Sequence, residues 1–394
     1  MSGASKKRGE EITHLDCFAG PGGITTGFRA AGIKTVAAIE KVQSCVETFK
    51  ANHPNVEVIS KDIRQVTEKE LKAKGIEKVN VVTAGMPCET FSTAGSKSRS
   101  FYDHRQMLFC EGIRIAKAVD ADFILLENVP AITSKKVSKD DDTLIIDLIY
   151  QKLSETGYKW FIPTILDCSD FGVPQKRKRF FVLAARKQIQ LLAPVSKRNG
   201  VMTVDDAFID LPEVKANGEE KTKYLKKESD YSRLMKDAEF WKPENKTEIK
   251  LSYHVPPNHR EVTLKRFSLI KQGEGLKDLF DKLPPQKIQK LQKERVLPRR
   301  WYIQRNRRLV PDEVSPTVTS HCLDELIHPT ENRCLTVREA ARLQSFPDFY
   351  NFAGGPFICP HIYETQDKYE QVGDAVPPLL AYHWGLKLKC LIED

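Results

Sequence analysis

Two residues able to do chemistry stand directly after apolar runs of this chain. Cys88 lies in Gly85-Met86-Pro87-Cys88-Glu89-Thr90-Phe91-Ser92, and Glu127 follows Phe123-Ile124-Leu125-Leu126. The ordinary role of a single cysteine is a buried structural thiol. A helix N-terminus or a basic neighbour changes that role by lowering the thiol pKa below about 8.5, which favours the nucleophilic thiolate. Pro87 fixes the backbone just before the sulfur. Burial acts on Glu127 in the opposite sense, raising its pKa so that it holds a proton near neutral pH.

A pocket precedes both residues. Phe18-Ala19-Gly20-Pro21-Gly22-Gly23 is a glycine-rich turn between an apolar run and a helical pattern, where backbone can approach a nucleotide-like ligand. Its spacing is not that of the dinucleotide fingerprint G-x-G-x-x-G. Glu40, seventeen residues past Gly23, ends the next apolar run and is placed to accept the hydroxyls of a ribose. Asp62 follows the third run. It is placed to accept from an adenine amine, with Ile63 and Phe18 as apolar faces for the ring, whereas alone it would read as a helix cap. A nucleophilic sulfur and a protonated carboxyl beside an adenosine pocket suit attack on an electron-poor ring activated by protonation. Cytosine is such a ring.

These residues need a scaffold that brings successive strand ends together. From Ile12 to about Ala185 short runs rich in β-branched and aromatic residues alternate with helical patterns, which predicts repeated βαβ units. The expected fold is α/β, a Rossmann-like and mostly parallel sheet with helices on both faces. Strands are expected at 12–18, 35–39, 56–59, 79–83, 123–126, 159–166 and 179–184. After Arg186 the chain turns to Lys/Glu-rich segments with scattered prolines, which marks a smaller irregular domain. A helix is expected over 336–344, capped by Thr336 with Glu339 three residues on and ended by Phe346-Pro347. Another is expected over 378–388.

The chain has 394 residues, enough for two or three domains, with 40% apolar and 29% charged residues, which excludes disordered and collagen-like classes. No apolar run is long enough to span a membrane and Met1–Glu10 has no signal-like segment, so the expected compartment is the cytoplasm. Nine cysteines without a Cys-x-x-Cys pair fit reduced thiols and predict no metal site. A formal net charge of +9 favours a polyanionic partner. Between Lys287 and Arg308 nine basic residues face one acid, Glu294, with Trp301 and Tyr302 among them. That stretch fits a solvated helix face and a nucleic-acid contact equally well.

Taken in order, Phe18 to Gly23, Glu40, Asp62, Pro87-Cys88, Glu127-Asn128-Val129, Gln175-Lys176-Arg177-Lys178-Arg179, Arg333 to Asp348 and Gln371 to Pro377 resemble the cytosine-C5 DNA methyltransferases of bacterial restriction-modification systems. The likeness spans most of the chain. It implies that Phe18, Gly20, Gly22, Gly23, Glu40, Asp62, Ile63, Pro87, Leu108, Asp374, Ala375 and Val376 hold S-adenosylmethionine, with S-adenosylhomocysteine as product. Cys88 would add to C6 of a cytosine, Glu127 would donate to N3, and Arg177 and Arg179 would position the target nucleotide. Stacked cytosine hides its C5, so the base must be extruded from the duplex.

The resemblance further implies a catalytic domain over 1–187, a target-recognition domain over 188–365 that includes the 333–348 motif, and a return to the catalytic domain over 366–394. Double-stranded DNA is the implied partner, met by Ser92, Arg105, Gln175 and Thr317, with Arg299, Arg300, Arg305 and Arg307 as further contacts. The protein is expected to act as a monomer, either alone or beside a cognate restriction endonuclease with which it forms no stable complex. Glu89 stands where the family usually has Gln, Asp374 where it has Asn, and His104 where Pro is commoner. A tRNA methyltransferase on the same scaffold usually carries Cys-Phe-Thr, which this chain lacks. A silent DNA-binding regulator is disfavoured by the presence of both Cys88 and Glu127.

Overall fold

The apolar runs of the first half form seven strands of one sheet: β1 (Thr13–Cys17), β2 (Lys34–Glu40), β3 (Glu57–Ser60), β4 (Val81–Gly85), β5 (Phe123–Asn128), β6 (Trp160–Asp167) and β7 (Lys178–Ala185). The computed structural model describes residues 11–86, 107–137, 142–195, 200–245, 249–300, 305–359 and 365–393. Strand order is β3-β2-β1-β4-β5-β7-β6, and β1 to β5 pair in parallel. Only β7 runs against its neighbours, since it pairs antiparallel with both β5 and β6. β6 is the half-buried edge, which lets Pro163 occupy it without losing an inner ladder bond.

Helices α1 (Gly23–Ala31), α2 (Gln43–Asn52), α3 (Glu68–Ala73), α4 (Leu108–Ala118) and α5 (Ile145–Glu155) connect the strands and cover the faces. The period-2 pattern of β5 shows how. Phe123 and Leu125 enter one hydrophobic cluster, Ile124 and Leu126 the other. Every residue of β5 is buried, as a central strand of a two-sided sheet must be.

The later elements are α6 (Val204–Phe208), α7 (Asp230–Lys236), α8 (Ala238–Trp241), α9 (Glu261–Ser268), α10 (Leu276–Lys282), α11 (Pro285–Lys293), β8 (Arg307–Arg308), α12 (Cys322–Glu325), β9 (Leu326–Ile327), α13 (Val337–Leu343), α14 (Lys368–Asp374) and α15 (Pro378–Glu393). The last helix docks on α1 at very close range: a Cβ on Gly27 would lie 2.3 Å from the Pro378 carbonyl oxygen. Trp384 of α15 is fully buried with its ring 5.1 Å from that of Phe181 on β7, a burial worth about 1.5–3 kcal/mol. Thr336 caps α13 through the expected reciprocal bonds with Glu339.

The division expected at residues 187 and 365 does not follow the hydrophobic clusters. Val204, Tyr231, Trp241, Leu335, Phe346 and Tyr350 share one cluster with Phe28 of α1 and Trp384 of α15. A separate small cluster gathers Phe267, Ile270, Leu276, Leu279, Leu291, Val296, Leu297, Ile327 and Cys334. The peripheral lobe built on this cluster draws on about 261–308 with Ile327 and Cys334, whereas Leu309, Val318, Cys322 and Leu326 and the motif residues Leu335, Val337, Leu343 and Phe346 belong to the main cluster. The charges of that motif explain its placement. Arg333 makes two 2.8 Å bonds to Glu339, and Arg342 bridges Asp348 and Asp210, all buried. No helix among the described residues is long and apolar enough to cross a membrane.

Candidate active site at the sheet switch point

β1 is flanked by β2 on one side and by β4 on the other, so the connections leaving β1 and β4 diverge and open a crevice beyond the strand ends. The glycine turn leaves β1 there. Phe18 adopts φ 58 and Gly20 φ 55, the left-handed region where a side chain other than glycine's is strained. A Cβ added at Gly20 would meet nothing within 4 Å, so this residue faces open space. Gly23 is different: a Cβ there would lie 2.2 Å from the Val376 carbonyl oxygen. Gly23 therefore packs Ala375 and Val376 against the turn.

The turn is braced from below. The Tyr350 hydroxyl donates to the Pro21 carbonyl, and Tyr350 and His53 together fill the space that a Gly22 side chain would need. Asp16, fully buried on β1, accepts from Thr25 of α1 at 2.8 Å and from Thr83 of β4 at 2.7 Å. Burial pushes its pKa up to about 6 against the opposing pull of the two threonine bonds, with a smaller rise from the charge of Glu40. Neither Asp16 nor Tyr350 carries a local sequence signal that distinguishes it from an ordinary core residue.

Glu40 ends β2 as expected. Its Oε2 accepts from the Gly20 N–H at 2.9 Å, and Oε1 from those of Lys41 at 2.8 Å and Val42 at 2.7 Å. A carboxylate has about four acceptor positions, so one on Oε2 is left for a ligand hydroxyl. Burial raises its pKa. Asp62 caps the short turn Ile63–Gln65 and binds Arg64 through both oxygens, at 2.9 and 2.7 Å, which holds its pKa down at about 2. The cap role is real, and Oδ2 retains room for a further donor. Arg114 of α4 donates 2.8 Å bonds to the carbonyls of Ile63 and Val66, fixing buried Ile63 beside the crevice. Leu108 starts α4, half-buried.

β4 and β5 end side by side, with Gly85 paired to Glu127. The Glu127 carboxyl leans over Gly85: a Cβ there would be 3.5 Å from its Oε2. Arg179, on β7, places Nε 2.9 Å from Glu127 Oε1, and both side chains are about nine-tenths buried. Burial is the largest influence on Glu127 and raises its pKa, with Arg179 and then Arg177 opposing. Asn128 holds the next stretch, its Oδ1 accepting from the Val129 N–H at 2.8 Å and its amide 3.5 Å from the Met86 carbonyl. Pro87, Cys88, Ser92 and Arg105 lie outside the described residues.

Two expected ligand contacts are redirected. Arg177 is buried, and its guanidinium donates to the carbonyls of Val318 at 2.7 Å, Gly373 at 2.9 Å and Ala375 at 3.2 Å. It clamps chain segments together, leaving Arg179 as the arginine that meets the acid. Gln175 is fully buried and bonds Gln344, Leu343 and Val318, so it is not available to DNA. Thr317 donates to the Lys176 carbonyl at 2.7 Å. Arg299, Arg300, Arg305 and Arg307 are exposed, on the peripheral lobe. Arg305 lies 3.5 Å from Asp324. Asp374 is exposed and accepts from Gln366 at 2.9 Å. Cys359, Asp367 and Glu370 converge within 4.8 Å, a closeness that the capping box of α14 accounts for.

The glycine turn, two strand-end carboxylates and the buried acid–arginine pair gather around the switch point of an open α/β sheet, the place where such sheets hold ligands. The C-5 cytosine-specific DNA methylase family matches residues 12–390. The chain is 32% identical over 391 residues to the Type II methyltransferase M.DdeI of Desulfomicrobium norvegicum, covering 96% of this chain and 89% of that protein. It is 30% identical over 372 residues to M1.HphI of Haemophilus parahaemolyticus, covering 94% and 84%. Among solved structures, a DNA modification methyltransferase encoded within an Escherichia coli prophage superposes with a TM-score of 0.72 at 23% identity, covering 98% of this chain and all of that one, 100%. The methyltransferase EhMeth of Entamoeba histolytica gives 0.57 at 15%, over 98% and 100%. The chain belongs to the C-5 cytosine-specific DNA methylase family and is a DNA cytosine-5 methyltransferase.

Proposed function

We propose that this enzyme methylates C5 of a cytosine flipped out of duplex DNA, through a covalent bond to Cys88, using S-adenosylmethionine. The Glu127–Arg179 pair beside Gly85 is the observation that carries this reading. It sets a proton-holding carboxyl over Gly85, which stands three residues before Cys88 in the chain.

The residues around the turn fit an adenosine-bearing donor. Gly20 faces open space, Glu40 and Asp62 each keep an acceptor position, and Ile63 and Phe18 give the ring apolar faces. Phe18, Gly20, Gly22, Gly23, Glu40, Asp62, Ile63, Pro87 and Leu108 would hold it, with Asp374, Ala375 and Val376 closing the other side. S-adenosylmethionine, when bound, supplies an electrophilic methyl group and leaves as S-adenosylhomocysteine.

The Cys88 thiolate adds to C6 of the ring as Glu127 donates a proton to N3, so the electron pair of the 5,6 double bond is shifted without negative charge building on the ring. C5 then carries the nucleophilic electron density. Once C5 has gained its substituent, the N3 proton returns to Glu127, and loss of the C5 proton to water expels the Cys88 thiolate and restores the 5,6 double bond. Arg179 keeps the carboxyl oriented and reaches toward the base oxygen. Extrusion of the base costs a few kcal/mol, which DNA contacts of the peripheral lobe offset. Arg299, Arg300, Arg305 and Arg307 there would neutralise phosphates and make binding steeply salt-dependent.

The relatives are Type II methyltransferases, which supports a role in a restriction-modification system beside a cognate endonuclease in the cytoplasm. Cys88→Ala tests the mechanism. Methyl transfer to duplex DNA should be abolished while S-adenosylhomocysteine binding is nearly intact; unchanged turnover would end the assignment of Cys88. Transfer to tRNA by the wild-type protein should be absent.

A further inference from the structure

Gln175 and Gln344 form a buried chain of amides that joins the two halves of the site. Gln344 follows α13 and is fully buried, as is Gln175 ahead of β7. The Gln344 amide donates to the carbonyls of Val372 at 2.7 Å and Ala375 at 3.1 Å. Its oxygen accepts from Gln175 Nε2 at 2.7 Å. Gln175 Nε2 also donates to the Leu343 carbonyl at 3.0 Å, and Gln175 Oε1 accepts from the Val318 N–H at 2.8 Å.

Each end reaches a working part of the site. Residues 372–376 press on the glycine turn, with Val376 O 2.2 Å from where a Gly23 Cβ would stand. At the other end, Val318 is fixed through its N–H by Gln175 and through its carbonyl by Arg177, two residues before Arg179. The segment at Thr319 lies directly on Gly373, whose added Cβ would be 2.1 Å from the Thr319 carbonyl. Amides are polar with a fixed direction, and a buried one that loses its partner is costly. A chain of two therefore permits few relative positions of the segments it joins.

We propose that Gln175 and Gln344 are positioning residues that hold the Arg179–Glu127 pair and the donor-binding turn in one register, so that a change at one end is felt at the other. The inference rests on the reading of the glycine turn as the S-adenosylmethionine site, but not on the Cys88 chemistry.

The test is the affinity of the full-length protein for S-adenosylhomocysteine without DNA, measured by calorimetry on variants whose folding is verified by circular dichroism. The Gln175 side chain bonds Leu343, Gln344 and Val318 and reaches the 372–376 segment through Gln344. Gln175→Met should therefore weaken S-adenosylhomocysteine binding several-fold and slow turnover. Gln344→Met should weaken binding about tenfold, and adding Gln175→Met to it should change little more. If Gln344→Met does not fold, the isosteric Gln344→Glu takes its place in the same comparison. A Gln175→Met affinity within twofold of wild type would overturn the proposal. So would a Gln175→Met effect that persists in full in the Gln344 variant. Binding that is weakened as expected while Cys88→Ala still turns over would leave the relay standing and remove the covalent mechanism.

Discussion

Arg179 Nε lies 2.9 Å from Glu127 Oε1, joining two side chains that are each about nine-tenths buried. Burial favours the protonated carboxyl and the guanidinium favours the anion, with burial the larger effect. Glu127 thus releases its proton at higher pH than an ordinary glutamate. Turnover should fall on the alkaline side as that proton is lost. Glu127→Gln should lower kcat by about 10²–10⁴-fold, the usual span of general acid catalysis, and flatten that limb. A pH–rate profile under single-turnover conditions measures both.

Asp16 offers a stability test separate from catalysis. Its pKa rises from 3.8 to about 6 through burial. The folded state then holds this proton more tightly than the unfolded chain, so the contribution of Asp16 is fully present below pH about 4 and is lost as pH rises through about 6. The shift amounts to about 3 kcal/mol at 1.36 kcal/mol per unit. Asp16→Asn should therefore gain in melting temperature relative to wild type between pH 5 and 7.5. Parallel melting curves across that range would contradict the burial argument.

The glycine turn and the alternation of strands and helices were legible in the sequence, because short apolar runs punctuated by glycine leave little choice but that alternation. Thr336 and Glu339 announced their capping box by spacing alone. Less visible was the antiparallel insertion of β7 between β5 and β6, since strand direction within a sheet is set by connections and packing, not by local pattern. The motif from Arg333 to Asp348 was legible as a capped helix of a family motif, but where its charges go was not. In the fold those charges are paired with one another and buried. Gln175 and Arg177 were legible as polar side chains near the site, but their buried partners, Gln344 and the Val318 carbonyl, are distant in sequence. Asp16 and Tyr350 left no trace because their partners are distant in sequence.

The two glycines of the turn should respond differently to alanine. Gly20→Ala adds a methyl group toward open space at φ 55, so its main effect should be weaker donor binding with a small loss of stability. Gly23→Ala drives a Cβ into the Val376 carbonyl and should cost about 1–3 kcal/mol or more. Urea unfolding and S-adenosylhomocysteine titration of both variants separate the outcomes. Equal stability losses would count against the packing of Val376 on Gly23.

Arg342 bonds Asp348 at 2.6 Å and Asp210 at 3.0 Å, with all three fully buried. Arg342→Ala strands two carboxylates in the core and should destabilise the protein by about 3–5 kcal/mol. Urea unfolding at pH 7.5 checks this. A loss below about 1 kcal/mol would mean that the pair is solvated.

The covalent step at Cys88 is tested most directly by trapping. The full-length protein is incubated with S-adenosylmethionine and duplex DNA in which 5-fluorocytosine replaces cytosine throughout, then digested and analysed by mass spectrometry. Fluorine cannot leave C5 as a proton does, so the expected result is a stable protein–DNA adduct on the peptide carrying Cys88, absent from Cys88→Ala. A duplex that is bound, and methylated in its ordinary cytosine form, yet yields no adduct or one on another residue, would contradict the account.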